Sequence, residues 1–153
     1  MTILKHTGFN IGAIDKILVA YVSDIRDYNI ISHTRVDRIR FNNREFEEIY
    51  FTPNKAKLSI SPKQDKNGTY YEVVLNFIIP KLREEVVQSL ENYRNKPLIV
   101  NVIDKNGNSL LLGTLEQPVK LLVDSDINQT VKEGSFFALK FSGKQIPYPY
   151  FFY

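Results

Sequence analysis

The sequence predicts a mainly β domain, α+β in the broad sense: a β-sandwich or partly open barrel of about seven or eight antiparallel strands, with one amphipathic helix at 82–93. Three observations lead there. Short β-branched and aromatic runs recur along the chain with polar, glycine- or proline-bearing turns between them. Only one stretch carries apolar residues at helical spacing. Cysteine is absent, so a core and not a disulfide framework must hold the fold, and 153 residues suffice for one.

Taken in order, residues 1–12 hold Gly8 and Gly12 without a clear period and read as an extended lead-in. Ile14 to Val22 is rich in β-branched and apolar residues. Ile17, Val19 and Tyr21 share one face and Leu18, Ala20 and Val22 the other, so this strand is expected to be covered on both sides. Residues 23–45 show no sustained period between two convincing strands, and connections beyond about 15 residues are uncommon in compact domains. They are expected to form a projecting arm or long hairpin, with a short strand at 36–41.

Phe46 to Phe51 and Ala56 to Ser61 read as strands around a Thr52-Pro53-Asn54 turn, with Ala56, Leu58 and Ile60 inward. A polar turn at 61–68 leads to Thr69–Ile79, whose alternate residues Tyr71, Val73, Leu75, Phe77 and Ile79 make one unbroken apolar face. Pro80 ends it. In the helix that follows, Leu82, Val86, Leu90 and Tyr93 form a stripe, Glu84 and Glu85 suit the N-terminal end of the dipole, and Pro97 is the stop. Leu98–Asp104 and Ser109–Gly113 form a hairpin around Asn106-Gly107. Gln117–Val123 and Ser135–Ser142 are the closing strands, joined by a polar loop at 124–132, and 143–153 is an aromatic tail interrupted by Pro147 and Pro149.

Signals for catalysis, cofactors or metals are absent from the pattern. His6 and His33 lie 27 residues apart with no supporting carboxylate spacing, and no nucleophile elbow or phosphate-binding loop occurs. Glu47/Glu48 would point to opposite faces of a strand, Glu84/Glu85 sit on an exposed helix start, and Asp124/Asp126, in a loop, lack the further oxygen ligands a cation such as calcium needs. The reading is therefore non-enzymatic, with no cofactor and no metal. No apolar run approaches the roughly 18 residues that cross a bilayer, and the first residues lack the pattern of a signal peptide, so a cytosolic product is expected.

Two features point to protein contacts. Five of the seven arginines (Arg26, Arg35, Arg38, Arg40, Arg44) fall within nineteen residues, with Phe41 among them and acidic residues interspersed. Guanidinium groups of this kind meet carboxylates or phosphates. Five of the last six residues are aromatic: Tyr148, Tyr150, Phe151, Phe152 and Tyr153. Together they carry on the order of 750 Å² of buriable surface, above the roughly 300–600 Å² of the largest apolar patch on a typical monomer. Either the tail folds over its own sheet or it docks on a neighbour. Arg35, Arg38, Arg40, Phe41, Arg44 and the five tail aromatics are thus the candidate subunit interface.

The order of strands, single helix, hairpin and closing strands, with the texture GTYYEVVLNFIIPKL, LIVNVIDKNGNSLLLGTLEQPVKL and EGSFFALKFSG over residues 46–142, resembles small structural proteins of tailed bacteriophages, including those of Bacteroidetes-infecting crAss-like phages. That resemblance implies a non-catalytic virion subunit, made in the host bacterial cytoplasm, that forms a homo-oligomeric ring in the tail or head-to-tail connector. Its partners would be its own copies and other virion proteins, with no membrane and with DNA only as it passes through a channel. Two alternatives stand beside it. One is an oligonucleotide-binding barrel, since the helix falls between strands three and four; against it, the outward side of 69–79 shows Glu72 and Asn76 and no cation. The other is a carbohydrate- or ligand-binding sandwich, suggested by the tyrosine-rich surface.

Overall fold

The computed structural model describes residues 2–5, 12–127 and 134–153, and of residues 126 and 127 the backbone alone. Eleven strands and one helix follow in the order β1 (Ile14–Tyr21), β2 (Ile25–Ser32), β3 (Arg35–Phe41), β4 (Glu47–Ile49), β5 (Lys57–Asp65), β6 (Gly68–Pro80), α1 (Glu84–Glu91), β7 (Leu98–Asp104), β8 (Ser109–Leu112), β9 (Lys120–Ile127), β10 (Ser135–Gln145) and β11 (Tyr150–Phe152). They form a seven-stranded sheet, β2-β3-β11-β8-β7-β1-β4, and a four-stranded sheet, β5-β6-β10-β9. The two sheets do not close into a barrel. Of the two forms expected, sandwich or partly open barrel, the fold is the β-sandwich, with one helix.

The main core lies between the sheets. Ile17, Val19 and Tyr21 of β1 and Leu98, Val100 and Val102 of β7 meet Val73, Leu75, Phe77 and Ile79 of β6 and Phe137, Leu139 and Phe141 of β10. Each such side chain taken from water stabilises the fold by about 1.5–3 kcal/mol. Phe77 and Phe141 stack with their centroids 5.6 Å apart, within the roughly 4.5–7 Å usual for offset rings. The helix closes one end of this core with Leu90, assisted by Leu82 and Val86.

A second core sits on the other face of the large sheet. Ala20, Ile99 and Leu111 alternate with the main-core residues of β1, β7 and β8, and they meet Ile25, Val36, Tyr28, Ile39, Phe41, Phe46, Tyr150 and Phe152. This is how β1 comes to be apolar on both faces, as its sequence predicts.

Several expectations change in detail. Among the described residues there are eleven strands, more than the seven or eight expected: β2 is bulged and β11 only three residues long, so neither leaves a clean alternation to read, and the strand expected at Phe46–Phe51 shortens to β4. One pair, β3 with β11, is parallel. The helix is shorter than 82–93: after Glu91 the chain tightens into i→i−3 bonds, Tyr93 N to Leu90 O and Arg94 N to Glu91 O, and Asn95 turns left-handed at φ 56°. Residues 23–45 adopt the hairpin form, β2 and β3 joined at His33-Thr34, and belong to the sheet. The polar stretch 61–68 is mostly strand, with β5 and β6 paired through Asp65↔Gly68. Pro62 is tolerated because β5 is an edge strand whose outer side needs no N–H donor. Asp124 stands in β9 and not in a loop. Both His6 and the rest of the loop expected at 124–132, residues 128–132, lie outside the described residues.

Candidate functional site

The aromatic tail folds back on its own body. β10 ends at Gln145 in the small sheet, the chain crosses through Pro147 and Pro149, and β11 inserts between β3 and β8 of the large sheet. Phe151 N donates to Thr34 O at 2.8 Å and Tyr153 N to Val36 O at 3.3 Å. Of the two fates open to the tail, docking on a neighbour or covering its own sheet, it takes the second. The physical reason is backbone pairing: β3 and β8 each present an edge, and a three-residue strand satisfies both at once.

Two buried or bridging amides set that crossing. Gln145 is 1 % exposed; its Oε1 accepts the Gly113 N–H at 2.8 Å and its Nε2 donates to Pro147 O at 2.9 Å. Gln117 Oε1 accepts the Ile146 N–H at 2.9 Å. Gly113 has φ +85°, and a Cβ there would stand 3.1 Å from Val119 N, so the β8 end needs glycine. Sequence reasoning missed both glutamines. No local signal marks a polar side chain that bonds to a backbone N–H 29 or 32 residues away in the chain.

The ten candidate interface residues divide by the direction they face. Phe41, Tyr150 and Phe152 turn into the second core, where Phe41 meets Phe46 edge-on at 5.4 Å and Tyr150 lies 6.5 Å from Tyr28. Tyr148 packs edge-on against Tyr71 at 5.3 Å. Arg44 leaves the group altogether: its guanidinium lies 4.6 Å over the Tyr21 ring, and its Nε is 3.4 Å from Asp24 Oδ2. That approach lacks hydrogen-bond alignment, so the buried Asp24 Oδ2 has a cation beside it without a directed bond.

The remaining five stay together on the outer side of the β2-β3-β11 unit. Arg35 Nε donates to Tyr153 O at 3.0 Å while its guanidinium sits 4.5 Å over the Tyr153 ring. Phe151 lies edge-on to Tyr153 at 6.4 Å. Arg40 grips Asp27 in a two-pronged pair at 2.6 and 2.7 Å, and Arg38, exposed, has no ion-pair partner among the described residues. Beside them Ile30 and Ile31 of β2 are about half exposed, at 49 % and 50 %. The sequence shows the adjacent isoleucines, but with no sustained alternation in residues 23–45 nothing there marks them as exposed.

A tyrosine cluster occupies the junction of β1, β4 and the end of the helix. Tyr21 and Tyr93 stack at 5.4 Å; Tyr21 OH donates to Asn92 O at 2.9 Å and Tyr93 OH to Glu47 Oε2 at 2.5 Å. Burial first, and then the bond to Glu47, push the Tyr93 phenol well above its ordinary range. Burial likewise raises Tyr21, against the opposing pull of Arg44. Both phenols hold their protons at neutral pH, which suits a clamp and is the opposite of what an activated nucleophile requires. Among the described residues no three His, Cys, Asp or Glu gather as a metal site, and no helix is long and apolar enough to cross a membrane. A groove of about 440 Å³ runs between α1 and β9, lined mainly by Val87, Leu90, Leu121, Val123 and Phe137, with Arg94 at its rim. No family model, no curated protein and no solved structure matches this chain.

Proposed function

We propose that the protein is a non-catalytic assembly subunit that joins copies of itself or companion proteins through the outer strand β2 and the residues beside it. The observation that carries this reading is the state of the sheet edges. β4 is three residues long, β5 bears Lys57, Pro62 and Lys63, and β9, which exposes Leu122 and Val123, also carries Lys120 and Asp124; charges, proline and shortness are the usual devices against edge-to-edge pairing. β2 is eight residues long and presents Ile30 and Ile31 on successive positions, hence on both faces of one open edge. Exposed arginines and aromatics flank it, the composition that interface centres favour.

In the finer form of the proposal the subunit belongs to a phage virion and forms a ring in the tail or head-to-tail connector, as the resemblance over residues 46–142 implies. The tail no longer supplies a free tether to a neighbour, because β11 is used within its own sheet. The weight falls on the hairpin instead. An oligonucleotide-binding barrel is a poorer fit, since its strands would have to close and these sheets do not.

Light scattering after size exclusion, with electron micrographs of the same fractions, tests the proposal. The full chain is expected to form closed rings, and Ile30→Asp with Ile31→Asp is expected to release single subunits with an unchanged circular dichroism spectrum. A wild-type mass of one chain at every concentration up to the solubility limit would refute self-assembly.

A further inference from the structure

The outward face of the four-stranded sheet has a composition that no single strand displays. β6 offers Tyr70, Glu72, Val74, Asn76 and Ile78 there, with no cation. The register adds what β6 lacks. Lys63 lies opposite Tyr70, and Lys144 opposite Glu72. Ser142, opposite Val74, carries Lys120 on its far side. Asn76 has Lys57 on one side and Lys140 on the other. Residues opposite one another in antiparallel strands share a face, so five lysines stand on one surface in four successive rows. Rows two residues apart are separated by about 6.7 Å, giving a track of about 20 Å.

Within those four rows Glu72 is the one acid; Asp124 falls in the next row, opposite Ala138. Asp65, at the hairpin end, has its Oδ1 occupied by the Asn67 N–H at 2.7 Å. Among the described residues none of the five lysines has an ion-pair partner. Lys144 Nζ lies 5.7 Å over the ring of Tyr70, and that ring lines a shallow hollow of about 330 Å³ with Gln117 and Ile146. The whole chain has a net charge of only +3, and these four rows carry five cations to one acid, with Asp65 and Asp124 in the rows at either end.

We propose that this face, Lys57, Lys63, Lys120, Lys140 and Lys144 with Tyr70 at its end, binds single-stranded nucleic acid. The lysines would follow the phosphodiester backbone, and Tyr70 would offer a ring on which a base can stack. A row of cations with an aromatic at its margin is the arrangement by which sheet surfaces hold single strands without reading sequence. The apolar Val74 between the lysines, and Ile78 just past the last of them, favour a strand that can turn its bases inward over the uniformly charged exterior of a duplex. The inference is independent of the assembly proposal, which concerns β2 on the other sheet.

Fluorescence anisotropy with a labelled thymidine 20-mer tests it on the full chain. Binding should weaken as salt rises, and neutralising five phosphates on a single strand corresponds to about a hundredfold loss for a fourfold increase in salt. Lys140→Glu with Lys144→Glu should reduce affinity at least tenfold and flatten the salt dependence; Lys57→Glu with Lys63→Glu, on a different strand, should do the same. Lys16→Glu with Lys105→Glu changes the net charge equally but lies off this face, and should leave more than half of the affinity. Tyr70→Ala should weaken the single strand more than a duplex of the same length. The proposal is overturned by no binding at low salt, by equal loss in the Lys16/Lys105 variant, by tighter binding of duplex, or by binding of heparin alone, which would assign the face to sulfated polysaccharide.

Discussion

Gln145 shows how much one buried amide can decide. Both ends of its carboxamide are engaged, by Gly113 N–H and Pro147 O, in a place closed to water. Gln145→Leu keeps the volume but leaves a donor and an acceptor without partners, each costing about 1–3 kcal/mol. The expected result is a loss of about 2–4 kcal/mol in urea unfolding with no change in the slope. Tyr93 makes a prediction at alkaline pH. Its folded phenol holds the proton more tightly than the unfolded one, so its contribution is fully present below the ordinary phenol value of about 10 and is lost as pH rises beyond it. Tyr21 and Tyr28, both raised by burial, act in the same direction. Stability followed by thermal melting should therefore be level with respect to these groups below pH 10 and decline above it, and Tyr93→Phe should make that decline shallower.

Among the elements, β11 has consequences out of proportion to its three residues. In the large sheet it is the strand that connects the β2-β3 hairpin to β8. Removing residues 150–153 should uncouple residues 25–41 from the rest of that sheet while β5, β6, β9 and β10 remain paired. Hydrogen exchange can follow this: amide protection in β2 and β3 should fall sharply, and that of β6 and β10 should change little. Equal loss of protection everywhere would mean that the two cores unfold as one unit. The same element marks where the sequence stops being informative. Thr69–Ile79 could be read residue by residue because its neighbours lie on both sides and its inward face alternates from Val73 on. β11 follows two prolines and has aromatics at every position, so the same letters serve a strand, a groove-filling tail or an interface.

For the molecule as a whole, the two cores divide the large sheet into a part shared with the four-stranded sheet and a part that builds its own interior with the hairpin and β11. Its surfaces divide in a similar way: an open β2 edge with exposed isoleucines on one sheet, and a lysine-bearing face on the other. The sequence by itself determined the mainly β class, the position of the helix and most of the inward residues, because hydrophobic alternation is a local record of which face meets the core; that the strands form a sandwich and not a barrel was decided by their pairing. It also located the aromatic tail and the arginine cluster. Where those side chains point was decided only in three dimensions: Arg44 turns to a tyrosine, Phe152 enters a second core, and five scattered lysines come to lie side by side. Strand order and register between distant segments bring these groups together, and neither is written in the neighbourhood of any one residue.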